Sequence, residues 1–344
     1  MIAVNTADSY RLRPALVSTS LVRASATLFL ALLVGCQRET PVQDRKPSTP
    51  SLPTARIGYV PVAVALPLFV AVDNGYFKDE GVNVELVRIN TSNDLGTAGT
   101  LGRVDFMMPC ALNVIFDIAN ASGVKHRLFG LNVYSDQPPH VADYLLVNTH
   151  SSIKRIGDLK GKRIAGHPGS ATSAVIRLIM EKQGLTQADY TFVPLQPAEW
   201  GPALSSGAVD AVAALEPQAS ELLATGTTRS VVDGFYAKAM PDLPLSGWWV
   251  SEKLLDKKNS RPVVDRVVAA YRRAVIYIGE HPEEAKKHFQ SYAPISASAL
   301  PRMQLNKWLT PDNLDIDSVQ RMADIFAENK VIQKPIRAAD FVLK

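Results

Sequence analysis

Asp158-Leu159-Lys160-Gly161-Lys162-Arg163-Ile164-Ala165-Gly166-His167-Pro168-Gly169-Ser170, running on through Ala171 to Gly184, holds a turn, a strand and a helix in succession. Gly161 ends the turn, Arg163 to Ala165 form a brief strand, and Pro168-Gly169-Ser170 breaks the chain just before a helical pattern begins. Ser170 stands where a hydroxyl caps a helix start. Ala171, Ala174, Val175, Leu178 and Ile179 recur three and four apart, so one face is apolar and can lie against a sheet. Gly184 is the natural stop after Lys182. The free amides of such a start, with the Ser170 hydroxyl, can hold a negatively charged or carbonyl-bearing group; ordinary capping accounts for the same residues. A nucleotide-binding P-loop is excluded, because its glycine spacing and Lys-Ser/Thr ending are absent and Lys162 precedes the turn.

On the N-terminal side, Ile57-Gly58-Tyr59-Val60 reads as a strand and Leu68-Phe69-Val70-Ala71-Val72 as a helical start. Residues 76–81 read as a small turn and Val82-Asn83-Val84-Glu85-Leu86-Val87 as an alternating strand, an opening β-α-β unit. Gly102 to Met108 is a turn and a short apolar strand, with Pro109 and Cys110 leading into a helix through Val114, Ile115 and Ile118. Strands follow at residues 126–134 and 143–148. On the C-terminal side, residues 190–193 and 211–214 are strands, and Glu216-Pro217 marks an exit. Gly247-Trp248-Trp249-Val250 returns the chain to its first half, and residues 262–278, 283–289 and 313–329 are helical. Leu101-Gly102-Arg103-Val104-Asp105-Phe106 is echoed by Ser206-Gly207-Ala208-Val209-Asp210-Ala211, which points to two similarly built halves.

The 344 residues can bury a substantial core as one large domain or two smaller ones. Thirty-seven basic and 33 acidic residues give +4 with no concentrated basic block, so nucleic-acid binding has no footprint here. Arg11, Arg13 and Arg23 precede or border an apolar run, Leu28 to Val34, that is too short to span a membrane comfortably. Residues 1–35 read as a signal peptide. Leu33-Val34-Gly35-Cys36 resembles a bacterial lipoprotein processing box, which implies lipid on the Cys36 sulfur and attachment to a membrane. Residues 36–53, polar and broken by Pro41, Pro47, Pro50 and Pro53, suit a flexible tether. With Cys36 so used, only Cys110 remains and no intrachain disulfide can form.

Leu68 to Ala71 with Asn74-Gly75-Tyr76-Phe77 and Glu80-Gly81-Val82, the 101–105 and 206–211 echo, residues 156–162, Gly169-Ser170 and Glu216-Pro217 together resemble a transporter family. It is the ABC-importer substrate-binding proteins of the nitrate, sulfonate, taurine and thiamine-precursor group, over roughly residues 55–330. The resemblance implies an α/β fold of periplasmic-binding-protein type II, two α/β lobes joined by two crossovers. Lobe 1 would be residues 54–146 and 244–344, and lobe 2 residues 147–243. It also implies a monomeric extracytoplasmic receptor, in the periplasm or at the cell surface, that hands a small organic ligand to an ABC permease.

Ligand-facing groups are then expected at Tyr59, Asn93, Asp94, Met108, Cys110, Gly169, Ser170, Glu199 and Glu216, with Trp248 where the chain crosses back. Ser170 and its neighbouring amides would receive an anionic or carbonyl group, and Tyr59, Trp200 or Trp248 would cover an apolar or planar portion unless they serve as core packing. Glu216 would accept hydrogen bonds or neutralise a cation, or else cap local backbone. His167, beside the same turn, can donate a hydrogen bond if its ring faces inward. No cationic pair at the corners selects nitrate or bicarbonate, and Cys110 is no cysteine-rich pyrimidine signature. No cofactor is expected: ATP-binding motifs and metal-ligand spacings are absent, and Cys110 with distant His126 makes no nucleophile and base. The remaining alternatives are a thiamine-pyrimidine-synthase-like enzyme and a ligand-sensing lipoprotein acting on a membrane kinase.

Overall fold

The computed structural model describes residues 52–292 and 295–344. The expected signal peptide, Cys36 and nearly all of the tether lie outside the described residues.

The described strands are β1 (Thr54–Tyr59), β2 (Asn83–Arg88), β3 (Phe106–Ala111), β4 (Arg127–Tyr134), β5 (Asp143–Asn148), β6 (Lys162–Gly166), β7 (Tyr190–Pro194), β8 (Ala211–Leu215), β9 (Thr228–Asp233), β10 (Leu243–Val250) and β11 (Lys307–Leu309). The helices are α1 (Leu66–Asp73), α2 (Tyr76–Asp79), α3 (Ser92–Thr100), α4 (Leu112–Ser122), α5 (Ser170–Lys182), α6 (Pro197–Ser205), α7 (Gln218–Ala224), α8 (Glu252–Leu255), α9 (Arg261–Glu280), α10 (Pro282–His288) and α11 (Ile316–Glu328). Two sheets result, ordered β11-β4-β10-β3-β1-β2 and β7-β6-β8-β5-β9. β1 runs parallel to β2 and β3 as β6 does to β7 and β8, and β10 and β5 are the antiparallel members beside β3 and β8. β3 and β8 read as unbroken apolar runs because helices cover both faces of such strands.

The molecule is therefore a two-lobed α/β fold with mixed sheets. The first sheet takes strands from residues 54–134 and 243–309, the second from residues 143–233. A boundary between residues 146 and 147 would cut β5, which belongs whole to the second sheet because it is hydrogen-bonded to β8 and β9. Pro109 and Cys110 lie inside β3 instead of leading into α4. Residues 76–79 are a single helical turn, α2, and β11 has no counterpart in the sequence pattern: three residues are too few for a periodicity to show.

The sequence echo has a physical basis. In the first lobe the Arg56 amide donates to Asp105 Oδ2 at 3.0 Å, its Nη2 to Asp105 Oδ1 at 2.9 Å and to the Gly102 carbonyl at 2.8 Å. In the second, the Arg163 amide donates to Asp210 Oδ2 at 2.8 Å, its Nη2 to Asp210 Oδ1 at 3.3 Å and to the Gly207 carbonyl at 2.6 Å. Each clasp ties the first strand of a parallel unit to the turn that starts the third, and so fixes where the third strand begins. The two differ in solvation: the Asp105 side chain is 7% exposed and that of Asp210 is 28%. Removing a partner from the drier clasp leaves the less hydrated cation, so Asp105→Ala should cost about 2–3 kcal/mol and Asp210→Ala about 1 kcal/mol. Urea unfolding of the two variants checks this; equal losses would show that solvation does not set the difference.

Candidate functional site

The C-terminal ends of the parallel strands are where loops and helix starts gather in such sheets. In this molecule the ends from the two lobes meet. Ser170 Oγ, in lobe 2, accepts from Asn113 Nδ2 at 3.0 Å and from Asn93 Nδ2 at 3.4 Å, both in lobe 1. The Ser170 amide donates to Asn93 Oδ1 at 3.4 Å, and the Ala63 amide donates to the Glu216 carbonyl at 3.1 Å. Between these bridges lies a cleft with two connected walls. Its inner part is a cavity of about 60 Å³ with Ser92, Tyr134 and Ser246 on one side and His167, Thr172 and Tyr236 on the other. Its mouth, about 320 Å³, sets Arg88 and Asn90 of lobe 1 against His167, Gln196, Trp200 and Glu216 of lobe 2.

Ser170 does not cap its own helix. Gly169 is the N-cap, at φ +137°, a conformation suited to glycine, and Ser170 is the first helical residue with its hydroxyl turned to the other lobe. The structure brings His167 and Glu216 to the cleft, and Asn93 and Ser170 to a bridge between the lobes. It places four expected residues in cores instead. Tyr59 packs edge-on to Phe69 at 5.5 Å, Met108 and Cys110 are fully buried within β3, and Trp248 donates its indole N–H to Asn132 Oδ1 at 2.9 Å. Two more are helix caps: Asp94 accepts from Thr91 Oγ1 at 2.7 Å, and Glu199 Oε2 accepts from the Gln196 amide at 2.7 Å. Acidic residues in a first helical turn do this often enough that they carry no ligand signal.

Three residues of the cleft or its bridges lie outside the set that the sequence points to. Arg88 is the last residue of β2, and the rule that ligands gather at the C-terminal ends of parallel strands is the signal that reaches it. Tyr236, in a short turn after β9, has a buried hydroxyl that lies beside Thr172 without a hydrogen bond of full geometry among the described residues. Asn113 Oδ1 is likewise buried and unpartnered. Neither has a periodicity or motif that marks it.

The NMT1/THI5-like family model matches residues 63–285. The chain belongs to this family. A Bacillus subtilis (strain 168) protein that carries an aliphatic-sulfonates-binding name is 27% identical over 319 residues, 90% of this chain and 91% of its own. Among solved structures, the alkanesulfonate-binding protein of Xanthomonas axonopodis pv. citri bound to MOPS superposes with TM-score 0.69 at 21% identity, over 84% of this chain and 98% of that one. The periplasmic aliphatic sulphonate-binding protein of Escherichia coli gives 0.68 at 20% identity, over 85% and 92%. At such identities the structures speak to the fold.

In this NMT1/THI5-like chain the electrostatics of the cleft are set by burial. Glu216 is 1% exposed, and desolvation pushes its carboxyl up to about 7 although Ser220 Oγ donates to Oε1 at 2.8 Å and the Gln304 amide of lobe 1 donates to the same oxygen at 3.3 Å. Asp143, buried at the crossover with Oδ1 accepting from the Tyr236 amide, is raised to about 7 by the same cause. Burial lowers His167, whose Nδ1–H donates to the Pro168 carbonyl at 2.9 Å; the neutral ring therefore keeps Nε2 as an acceptor. Cys110 is pushed up to about 12, so its thiol stays protonated and inert. Among the described residues no group of three or more His, Cys, Asp and Glu side chains is arranged to hold a metal.

A carboxyl raised in the folded state favours folding when protonated. Its contribution is full below the unfolded value near 4.5 and is lost as pH rises through about 7. Thermal melts of the free protein should therefore fall between pH 5 and 7.5, roughly, with Glu216→Gln removing part of the slope and Asp143→Asn a further part. A slope unchanged in both variants would show that neither carboxyl is desolvated as described.

Proposed function

We propose that the chain captures a small organic solute with an anionic or strongly polar end between its lobes and delivers it to an ABC importer. It acts outside the cytoplasmic membrane as a binding protein and catalyses no reaction. The observation that carries the reading is Arg88. It stands on the cleft mouth and makes none of the ion pairs found among the described residues, while the start of α5, at Ala171 and Thr172, lines the inner cavity that shares His167 with the mouth. An unpaired guanidinium at the mouth of a cleft suits a sulfonate or carboxylate. Sulfonate-binding names among the relatives support the same class. The Tyr236 hydroxyl, beside Thr172 without a hydrogen bond of full geometry, is the inner donor for the ligand. His167 Nε2 accepts a hydrogen bond from it.

The lobes would part and close about the crossovers at residues 135–142 and 234–242, with ligand contacts favouring the closed form. Cys36 carries the lipid that anchors the protein to a membrane, the 36–53 segment is its leash, and the protein works as a monomer that meets an ABC permease.

Calorimetry against butanesulfonate, hexanoate and butanol tests the reading. The two anions should bind, and butanol should not compete. Arg88→Gln should weaken the anions tenfold or more, about 1.5–3 kcal/mol, with unfolding free energy unchanged to about 0.5 kcal/mol. Tyr236→Phe should cost about 1 kcal/mol of affinity. Anion affinity unchanged in Arg88→Gln would sink the assignment of the anionic end to this corner.

A further inference from the structure

A groove of about 450 Å³ lies between the lobes and shares no lining residue with either part of the cleft. α5 turns Ser173, Ala174 and Arg177 to it, spaced to share one helical face, β7 supplies Tyr190 and Phe192, and Val331 stands opposite on lobe 1. That volume falls within the range that holds a small organic molecule. The walls can be reached: the Arg177 side chain is 20% exposed, Tyr190 and Phe192 are half-buried, and Gln187 at the rim is exposed. Arg177 spends its guanidinium unevenly. Nη2 donates to the Asn329 carbonyl of lobe 1, and Nε, sealed from solvent, lies 3.8 Å from Glu181 Oε1, beyond hydrogen-bond range. Nη1 makes no hydrogen bond among the described residues and is not sealed. The Tyr190 hydroxyl is likewise open and unbonded, and burial raises its pKa, so it stays a donor. Among the described residues on the wall Arg177 alone is charged, and Asp189, beside Tyr190 in the chain, is paired with Lys160 at 3.3 Å.

We infer that this groove is a second ligand site, for a carboxylate borne on a flat aromatic ring. Arg177 Nη1 and the Tyr190 hydroxyl are donors from which a carboxylate can accept, the first with charge assistance, and no acidic residue lines the wall to repel it. Tyr190 and Phe192, two apart on β7, stand on one face of the sheet, so an aromatic body can lie against their rings with Ala174 and Val331 completing an apolar bed. Glu181 is the group that opposes such a ligand, because it competes for the same guanidinium. Its hold is weak: the carboxylate is 44% exposed, and an ion pair at 3.8 Å gains little in water. A neutral ligand would leave the guanidinium charge unused. Val331 and the Asn329 carbonyl belong to lobe 1 and the rest of the wall to lobe 2, so an occupant meets both lobes at once. The site does not depend on which solute the cleft captures.

Benzoate is the probe, with benzyl alcohol, the same ring without the charge, as its matched control. Titration of the Tyr190 ring signals by NMR should show saturable benzoate binding in the millimolar range, and the alcohol binding more weakly by roughly tenfold or more. Arg177→Met keeps the apolar stem and should weaken benzoate by a similar factor, whereas Glu181→Gln removes the competitor and should strengthen it. Should Arg177→Met not fold, Tyr190→Ala serves: it lies on the edge strand of its sheet, removes a wall and a donor, and should abolish the saturation-transfer signal of benzoate at this groove. Arg88→Gln should leave the benzoate-induced Tyr190 shift unchanged, because Arg88 lines only the mouth of the cleft. Absence of saturable binding would overturn the proposal. So would equal affinity for the alcohol, unchanged binding in the folded Arg177 or Tyr190 variant, or weaker binding in Glu181→Gln. Loss of the Tyr190 shift in Arg88→Gln would overturn it too, by placing benzoate in the cleft. Butanesulfonate binding, read separately, tests the cleft and not this groove.

Discussion

Each sheet is completed by a strand that arrives from the other lobe, and the geometry of the cleft depends on that exchange. β10 enters the first sheet between β3 and β4 with all eight residues buried, and β5 enters the second between β8 and β9. Side chains lock β10 in place: Trp249 donates its indole N–H to the Cys110 carbonyl at 3.1 Å, Trp248 to Asn132 Oδ1, and Asn132 Nδ2 to Ser246 Oγ at 2.9 Å. A Cβ at Gly247, in the middle of the strand, would lie 2.3 Å from Leu128 Cδ1 and would force that buried side chain to move. The second sheet is built after one crossing, and the first is finished only when the chain crosses back. The parallel strands on the far side of each exchanged strand are thereby aimed at the opposite lobe.

The two lobes repeat one plan and differ at the corner that matters. β3 ends in Met108-Pro109-Cys110-Ala111, apolar and buried, and turns only Pro109 and Ala111 to the inner cavity, while β8 leads into Glu216-Pro217 and delivers a carboxyl to the mouth. The cation is supplied from the other side, by Arg88 at the end of β2. Glu216 and Arg88 line one mouth without pairing, and burial pushes the acid up to about 7, so that it is only partly ionised near neutral pH. The guanidinium charge is therefore left for an incoming group instead of being cancelled within the protein.

Strand and helix order is legible in the sequence wherever an apolar run is long or bounded by glycine: β1, β2, β4, β5, α5 and α9 all lie within a few residues of their expected positions. The Gly-x-Val-Asp echo is legible because each aspartate must meet an arginine on the first strand of its unit. The cleft is harder. Turn residues Asn93, His167, Ser170 and Glu216 can be placed from strand ends alone. Tyr59, Met108, Cys110 and Trp248 cannot, because an apolar or aromatic residue at a strand end faces the core or the cleft according to a half-turn of pleat that composition does not encode. Tyr236 and Asn113 depend on unmet hydrogen bonds, which exist only once the chain is folded.

The Asn93–Ser170 bridge between the lobes is weaker than the Asn113–Ser170 and Ser296–Glu221 bridges, each 3.0 Å, and that bears on what closure requires. The Asn93–Ser170 contacts are solvent-exposed and 3.4 Å long, at the far end of hydrogen-bond range. A well-formed neutral hydrogen bond contributes about 0.5–1.5 kcal/mol net, and these contribute less. Shifting a two-state equilibrium from mostly open to mostly closed takes about 5.5 kcal/mol of differential affinity, more than such bridges supply. The inner cavity, about 60 Å³, has room for roughly two waters and not for an organic body, whereas the mouth at about 320 Å³ has. A solute large enough to supply the missing free energy must therefore occupy the mouth, with its polar end at Arg88 or reaching inward to Tyr236, and hold the lobes together by contacts that they cannot make with each other.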